Sequence, residues 1–192
     1  MKSSDFYFNL PEELIAQYPA KERGKSRLLL MNRKTQSLEH RMIHDLPNIL
    51  EKGTLMVFNN SRVRRARLFA KSTEANANFE FLLLDKIDST GTTWQVMLKK
   101  AHRHKPESRF LFPQKNEANA FLEAQLIVRK NAPCLLKFEK PIDDSWLDIN
   151  GHMPLPPYIK RKTEKDDAER YQTVYARQHG SLAAPTAGLH FT

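Results

Sequence analysis

The sequence is poor in cysteine and lacks long apolar runs. Its single cysteine, Cys134, lies in the hydrophobic segment 132–138, so neither a disulfide framework nor a multi-thiolate metal site is expected. No apolar stretch is long enough to span a bilayer, and no apolar core of a secretion signal is visible. Internal repeats and low-complexity segments are absent as well. We therefore expect a protein of the reducing cytoplasm.

Positive charge exceeds negative charge. The chain has 31 Lys and Arg against 22 Asp and Glu, which gives a formal net charge of +9. This excess favours a polyanionic partner such as nucleic acid, although charge that only solubilises the surface gives the same count. With 192 residues, 40% of them hydrophobic and 28% charged, the chain is expected to form one globular domain or two small ones.

The middle of the chain predicts an all-β module. Short runs of β-branched, aromatic and leucine residues alternate there with polar or glycine-containing breaks. Trp94, Val96 and Leu98 are expected on one face of a strand that follows a hairpin turn at residues 88–91. Closing the sheet into a small barrel would remove its exposed edges. The expected strands are residues 64–71, 78–86, 92–99, 108–112, 121–130 and 133–139.

The two ends of the chain carry weaker signals. Residues 11–17 predict a short helix with proline in its first turn, and residues 53–58 predict a buried strand. Residues 141–157 are expected to be irregular because of their prolines. Thr163 is the expected N-cap of a helix at residues 164–178.

These elements indicate an α/β domain, made discontinuously from both ends of the chain, with an inserted small antiparallel β-barrel domain of about six strands. Residues 1–63 are expected to form the first part of the α/β domain and residues 151–192 its second part. Residues 64–150 are expected to form the barrel domain.

A run of small residues near the carboxyl end is the best candidate for a ligand-binding loop. It consists of Ala184, Pro185, Thr186, Ala187 and Gly188. These side chains have little bulk, so a ligand could approach the backbone closely, and Gly188 permits a positive φ. His190 follows, the side chain whose ordinary pKa suits proton transfer near neutral pH. A turn between two core segments would have the same pattern.

Four arginines, Arg62, Arg64, Arg65 and Arg67, lie within six residues. On an extended chain Arg62 and Arg64 face one way, while Arg65 and Arg67 face the other. One face could contact RNA phosphates and the other could make internal ion pairs.

A second basic run lies between two expected strands and includes Lys99, Lys100 and Arg103. It could contact an RNA stem from a barrel loop, or it could be an ordinary solvated turn. His102 and His104 alternate like metal ligands, but they have no carboxylate or thiolate nearby. No metal site is expected there.

Three tyrosines, Tyr158, Tyr171 and Tyr175, are aromatic candidates near the small-residue loop. Tyr171 and Tyr175 stand one turn apart on the expected helix, a spacing that also fits simple packing of the helix onto a sheet. Gln172 and Thr173 are alternative polar contacts to a ligand.

Seven segments, in a fixed order, carry a family resemblance. They are residues 5–11 (DFYFNLP), 26–29 (SRLL), 57–63 (VFNNSRV), 66–68 (ARL), 154–159 (PLPPYI), 171–176 (YQTVYA) and 184–192 (APTAGLHFT). The last three are highly specific together. The sequence resembles the S-adenosylmethionine:tRNA ribosyltransferase-isomerase family of queuosine biosynthesis. Members of that family continue beyond the His-Phe-Thr block, so we expect this chain to be an amino-terminal portion.

The resemblance implies a reaction. S-adenosylmethionine, as cosubstrate and without a metal, would donate its ribosyl group to the 7-aminomethyl-7-deazaguanine base at the wobble position of a tRNA. Epoxyqueuosine-tRNA, adenine and methionine would be the products. The family fold is a small β-barrel domain beside a larger α/β domain, with the active site near their junction.

The chemistry of that reaction directs the choice of site residues. A base near C5′ and a proton donor for departing adenine are needed, and His190 is the candidate for either role, or for a hydrogen bond to substrate. Tyr158, Gln172, Thr173 and residues 184–188 are expected to bind S-adenosylmethionine or the base. The two basic runs are expected to bind tRNA.

The expected partner is a tRNA with a GUN-type anticodon that carries the modified wobble base, bound by a monomer without a membrane. A non-catalytic RNA-binding module built on the barrel and its arginines is the alternative. Such a module would bind tRNA without any effect of S-adenosylmethionine.

Overall fold

The computed structural model describes the whole chain except residues 76, 100–104, 106 and 128–132. The strands are β1 Arg27–Asn32, β2 Ser37–Met42, β3 Ser61–Val63, β4 Arg67–Ser72, β5 Asn78–Lys86, β6 Thr93–Leu98, β7 Arg109–Pro113, β8 Phe121–Ile127, β9 Cys134–Phe138 and β10 Gln178–Ser181. The described α-helices are α1 Leu46–Ile49, α2 Asp144–Asn150 and α3 Asp167–Arg170. Described 3-10 turns lie at Ser3–Phe6, Glu12–Leu14, Ile43–Asp45 and Thr186–His190.

A closed antiparallel barrel of six strands forms the centre of the fold, in the order β4-β5-β6-β9-β8-β7. The six expected strands are confirmed, although β4 begins at Arg67 and residues 128–130 lie outside the described part of the chain. Alternate side chains point inward, as in β6, where Trp94 and Val96 are buried while Met97 is exposed. Each barrel strand pairs on both sides, so closure removes the sheet edges.

The turn between β5 and β6 also matches the expectation. The Asp88 carboxylate accepts hydrogen bonds from the N–H groups of Gly91 and Thr92, at 2.7 and 3.1 Å. Hydrogen bonds from Thr93 and its neighbours hold the pKa of Asp88 well below its ordinary value. Gly91 has φ +79°, and a Cβ there would lie 2.9 Å from the Ile142 carbonyl oxygen. Both conformation and space therefore require glycine.

Helix α2 lies within residues 141–157, so the expectation of an irregular segment is wrong. Asp143 caps the helix by accepting a hydrogen bond from the Trp146 N–H at 2.8 Å. Leu147 is fully buried in the same cluster as the barrel core, and this packing stabilises a helix of only seven residues. A Cβ on Gly151 would lie 1.9 Å from the Arg65 carbonyl oxygen, so the helix ends where two backbones touch.

Two expectations for the amino-terminal end are wrong. Residues 11–17 contain only the 3-10 turn Glu12–Leu14. Residues 53–58 form no strand, and the side chains of Leu55 and Val57 remain largely exposed. An apolar run forms a buried strand only where a neighbouring strand pairs with it, and none of the described strands does so here.

The helix expected at residues 164–178 is wrong for a different reason. Only Asp167–Arg170 is helical, and its N-cap is Asp166 instead of Thr163. The chain leaves the helix after Arg170, and the Gln172 side chain then bonds to the backbone of Val63, far away in sequence. Tertiary hydrogen bonds therefore override the local helix preference.

Both ends of the chain meet beside the barrel. Strands β3 and β10 pair in parallel, with Ser61 opposite Gln178 and Arg62 opposite His179. A second buried cluster joins Val63, Met153, Leu155 and Ala184. Strands β1 and β2 form an antiparallel hairpin. Sheets outside the barrel have two strands each among the described residues, and the described part of the chain has few helices.

Candidate functional site

An arginine network fixes the amino-terminal segment to the carboxyl-terminal segment. Both terminal nitrogens of Arg161 donate to the Asp167 carboxylate at 2.7 Å, and its Nε donates to the Gln17 carbonyl at 2.8 Å. The guanidinium lies 4.4 Å from the centre of the Tyr18 ring. The hydrogen bond from Arg161 holds the pKa of Asp167 below its ordinary value, although burial opposes this.

Arg23 makes a second connection between the same segments. Its two terminal nitrogens donate to the carbonyl oxygens of Leu189 and Glu169, each at 3.0 Å. Burial, and then the charge of Arg170, lower the pKa of Arg23. The small-residue loop is therefore held in place by an arginine from the other end of the chain.

The small-residue loop runs into the 3-10 turn Thr186–His190. Ala184 and Gly188 are buried, Pro185 is half-buried, and Thr186 and Ala187 are exposed. Gly188, which permits a positive φ, does not adopt one. A Cβ on Gly188 would instead lie 2.4 Å from the Tyr175 hydroxyl oxygen and 2.8 Å from Thr173 Cγ2. The lack of a side chain at Gly188 therefore leaves space for the side chains of Tyr175 and Thr173.

Gln172 and Thr173 are both buried beside this loop. The Gln172 amide donates to the Val63 carbonyl and accepts from the Val63 N–H, both at 2.8 Å. The Gln172 side chain thereby makes the two backbone hydrogen bonds to Val63 that a neighbouring strand would otherwise make. The Thr173 hydroxyl is buried and has no hydrogen-bond partner among the described residues. A buried hydroxyl without a partner is costly, which makes Thr173 a candidate for contact with a bound polar group.

Gln172 and Thr173 line a cavity of about 480 Å³ together with Arg62 and Arg65. We call this the arginine cavity; Arg23, Ala168, Glu169 and Val174 complete its lining. Residues expected to contact a cosubstrate and residues expected to contact RNA thus meet in one place. Its volume is within the range of small-molecule sites.

His190 lies in a neighbouring cavity of about 560 Å³, which we call the histidine cavity. Its lining includes Arg23, His44 and apolar side chains such as Ile43 and Met56. Arg23 lines both the histidine cavity and the arginine cavity. His190 and Thr173 are therefore on adjacent cavities that share one arginine.

The three candidate tyrosines do not share a surface. Tyr158 is half exposed and lines a smaller cavity of about 210 Å³ with Tyr18, Tyr171 and Thr186. Burial raises the pKa of Tyr171. Tyr175 instead packs edge-on against other aromatic rings, with its centroid 5.1 Å from that of Phe58. The prediction that Tyr171 and Tyr175 share one helical face is wrong, because the helix ends before both residues.

The expected alternation of the four arginines is also wrong. The Ala66 N–H donates to the Arg64 carbonyl at 2.8 Å, a tight turn that interrupts the extended chain between β3 and β4. Arg64 pairs with Asp144 and lies 5.4 Å from the Trp94 ring centre.

The Arg67 side chain is engaged by other residues of the chain, since its Nη2 donates to the Leu155 carbonyl at 2.8 Å and its Nε lies 2.9 Å from the Glu80 carboxylate. Arg65 donates to the Asp148 carbonyl at 2.6 Å and still lines the arginine cavity. The Arg62 side chain makes no hydrogen bond or ion pair with any part of the chain that the structure describes. Arg62 and Arg65 are therefore the accessible members of the cluster.

The second basic run is only partly described. Lys99 follows β6 and lines an open groove with Met97 and Glu80. Lys100 and Arg103, like His102 and His104, lie outside the described residues.

Sequence reasoning missed Arg23 and Glu169, because neither belongs to a motif and each reaches the site from a different part of the chain. In the described part of the chain, no three His, Cys, Asp or Glu side chains group as metal ligands would. None of its helices has the length and apolar character needed to cross a membrane.

Comparisons with known proteins agree across the whole chain. The protein named S-adenosylmethionine:tRNA ribosyltransferase-isomerase from Treponema denticola is 54% identical over 100% of this chain and 55% of its own length. The protein of the same name from Acetivibrio thermocellus is 44% identical over 100% of this chain and 54% of its own length. The chain thus spans about half the length of the curated relatives it matches.

Among solved structures, the crystal structure of S-adenosylmethionine tRNA ribosyltransferase from Thermotoga maritima also matches. It is 28% identical, with a TM-score of 0.35 over 92% of this chain and 56% of that chain. A sequence profile of the family described as "Queuosine biosynthesis protein" matches residues 3–192. Since that match covers nearly every residue, this chain belongs to the queuosine biosynthesis protein family.

Proposed function

We propose that this chain is part of an enzyme that transfers and isomerises the ribosyl group of S-adenosylmethionine onto 7-aminomethyl-7-deazaguanine at the tRNA wobble position. Epoxyqueuosine-tRNA is formed, and adenine and methionine leave. The observation that carries the proposal is the 54% identity, over the whole chain, to a relative named for this reaction.

The residues beside the small-residue loop fit a polar cosubstrate. The Thr173 hydroxyl is buried without a partner among the described residues, and a ligand oxygen or nitrogen would satisfy it. The arginine cavity, of about 480 Å³, is large enough for a small molecule. The loop backbone is accessible at Thr186 and Ala187 and closely packed at Ala184 and Gly188, with Pro185 half-buried between them. Tyr158 borders the loop beside Thr186.

His190 is the proposed catalytic residue. S-adenosylmethionine supplies a sulfonium that acidifies its C5′ protons, so the protein must provide a base near C5′ and a donor for adenine. His190 can do either, because neutral imidazole accepts a proton and imidazolium donates one near neutral pH. Gln172 remains a proposed contact to S-adenosylmethionine or the base, and its hydrogen bonds to Val63 position this segment as well.

Arg62 and Arg65 are the proposed phosphate contacts for tRNA, together with Lys99, Lys100 and Arg103 of the second basic run. Arg64 and Arg67 instead hold the turn between β3 and β4 through their internal ion pairs. The planar guanidinium donates two parallel hydrogen bonds to a phosphate, which favours arginine at such contacts. The tRNA is one with a GUN-type anticodon that carries the modified base.

The wider organisation is part of the same proposal. Residues 1–63 and 151–192 would form one discontinuous domain, with residues 64–150 inserted as the barrel domain. The parallel pairing of β3 with β10 supports this division. We also propose that the protein acts as a monomer in the cytoplasm, where its tRNA substrate is found.

Adenine release tests the proposed function. The whole protein is incubated with S-adenosylmethionine and tRNA bearing the aminomethyl-deazaguanine base, and adenine is measured by chromatography. Release that depends on this tRNA is expected, and His190→Gln should lower it on the order of a hundredfold. Lys137→Gln, an exposed change on β9, serves as the control. Salt-sensitive tRNA binding without release, unaffected by S-adenosylmethionine, would favour the RNA-binding module instead.

A further inference from the structure

A cavity of about 370 Å³ lies where the barrel, helix α2 and the segment before α3 meet. Three cationic side chains, those of Arg65, Lys115 and Lys165, line it together with His152. Glu164 is the carboxylate in its described lining. We call this the junction cavity. Its cations come from separate parts of the chain, so only the folded protein assembles them.

The backbone around Lys115 is held firmly. The buried Asn150 accepts a hydrogen bond from the Lys115 N–H at 2.8 Å and donates to the Trp146 carbonyl at 3.0 Å. The Lys115 ammonium is 3.3 Å from the Gly151 carbonyl oxygen, to which it donates. Its position therefore depends on helix α2 as well as on the barrel.

Arg65 and His152 are also positioned by their neighbours. Arg65 donates to the Asp148 carbonyl at 2.6 Å, while its Nε is 3.9 Å from the Asp148 carboxylate. The His152 backbone pairs with Arg67 through hydrogen bonds of 2.9 and 3.2 Å, and its ring packs edge-on against Phe69 at 5.2 Å. The cavity is thus a built site with defined geometry.

Positive charge in the junction cavity is incompletely balanced. Burial, and then the charges of Lys115, Arg67 and Arg65, lower the pKa of His152. Burial and the charge of Arg65 lower the pKa of Lys115. Glu164 offers a negative charge, but its Oε1 accepts the Tyr18 hydroxyl at 3.0 Å. A bound anion would relieve the repulsion among these groups.

The junction cavity adjoins the arginine cavity. Arg65 and Ala168 line both of them, so Arg62 on one side and Lys115 on the other present cations along one surface. A nucleic acid carries regularly repeated phosphates and can bind several such positions at once. A free phosphate ion would need only one.

We propose that the junction cavity binds a backbone phosphate of RNA through Arg65, Lys115 and Lys165, with His152 completing the site. Arginine supplies directed hydrogen bonds to phosphate oxygens, and lysine supplies compact positive charge. The identity of the RNA as a tRNA rests on the proposed function, whereas the phosphate site rests on the cations of the cavity.

The salt dependence of tRNA binding tests the site. The double variant Lys115→Gln/Lys165→Gln is compared with Lys137→Gln/Lys140→Gln, which removes two exposed lysines outside the cavity. In the first variant, affinity near ~0.1 M salt should fall on the order of tenfold, and the slope of log K against log salt should decrease by about one unit or more. The control should keep the wild-type slope. Equal slopes in all three proteins would overturn the proposal.

Inorganic phosphate supplies a second readout that needs no RNA. In the whole protein, phosphate should raise the pKa of His152, followed by NMR of its ring, and the shift should be lost in Lys115→Gln/Lys165→Gln. Absence of a shift in the wild type would count against the phosphate site. A shift without any change in tRNA slope would overturn the choice of RNA as ligand. If wild-type protein releases no adenine but the slopes differ as expected, the proposed function fails while the phosphate site stands.

Discussion

The barrel and its flanking segments are stabilised in different ways. Inside the barrel, Phe81 and Trp94 are 0% exposed and belong to one continuous core. In the amino-terminal flank, Leu55 and Val57 are 87% and 88% exposed. Besides a small apolar cluster that includes Val63, the flanking segments rely on polar contacts distant in sequence, such as Arg161 with Gln17 and Gln172 with Val63.

On the proposed function, this difference would separate the chemistry from the region that contributes most to stability. A closed barrel satisfies its own backbone and buries its own apolar surface, so it can serve as a scaffold. The flanking segments hold the arginine and histidine cavities through a few charged and amide contacts. Regions of lower local stability are the ones that ligands can order. We therefore expect substitutions in the barrel to change stability most and substitutions in the flank to change ligand binding most.

The largest effect should come from the barrel core. Phe81→Ala removes a fully buried ring and should lower the free energy of unfolding by about 3–5 kcal/mol. Phe8→Ala, at an exposed phenylalanine of the flank, should change it by less than about 0.5 kcal/mol. Urea denaturation followed by tryptophan fluorescence measures both. Similar losses in the two variants would remove the distinction between the regions.

The flank should depend on its buried ion pair. Asp167→Asn leaves Arg161 without its charged partner and should destabilise the flank by about 3 kcal/mol, measured by hydrogen exchange. Glu22→Gln breaks an exposed pair with Lys25 and should cost less than about 1 kcal/mol.

Lowering the pH should weaken the same ion pair, between Arg161 and Asp167. The folded-state pKa of Asp167 lies below its ordinary 3.8, so its contribution is fully present above that unfolded value and is lost as pH falls through the folded pKa. Asp167→Asn should reduce the acid dependence of flank stability. An unchanged pH profile in the variant would argue against the ion pair.

A smaller loss of stability should follow from Gln172→Leu. The change removes both hydrogen bonds to Val63 and leaves a buried N–H and carbonyl without partners, at a cost of about 2 kcal/mol. Gln178→Leu, at an exposed position of β10, is the matched control. Thermal unfolding monitored in the flank distinguishes them, and equal melting temperatures would contradict the role of Gln172.

The smallest expected effect is the one that distinguishes the role of Arg62 from that of Arg64. Arg62→Gln should weaken tRNA binding by roughly tenfold or less, with a slope reduced by about one unit, and should leave stability unchanged. Arg64→Gln should instead destabilise the protein because Arg64 pairs with Asp144. Filter binding at several salt concentrations and denaturation give the two readouts. A loss of stability in Arg62→Gln together with a loss of tRNA binding in Arg64→Gln would show that the turn at residues 64–66 does not orient these side chains as described.

The sequence predicted the barrel well because its information is local. The alternation of Trp94 and Val96 and the turn at residues 88–91 each determine structure over a few neighbours. Helix α2 was not predicted, since Leu147 is its one buried apolar residue and gives no periodic pattern.

The flank was predicted poorly because its structure depends on contacts between distant residues. Gln172 bonds to Val63, 109 positions away, and no local pattern reveals this pairing. The sequence indicated Gly188 as part of a ligand-binding loop, whereas its close approach to the Tyr175 hydroxyl becomes apparent only in three dimensions. Likewise, a turn at Arg64 changed which arginines are accessible.

Hydrogen exchange of the whole protein with S-adenosylmethionine tests most directly whether the flank carries the site. Bound cosubstrate should slow exchange of amides in residues 172–176 and 184–190, while barrel strands such as Cys134–Phe138 keep their exchange rates. Protection confined to the barrel, or no protection at saturating S-adenosylmethionine, would contradict the account.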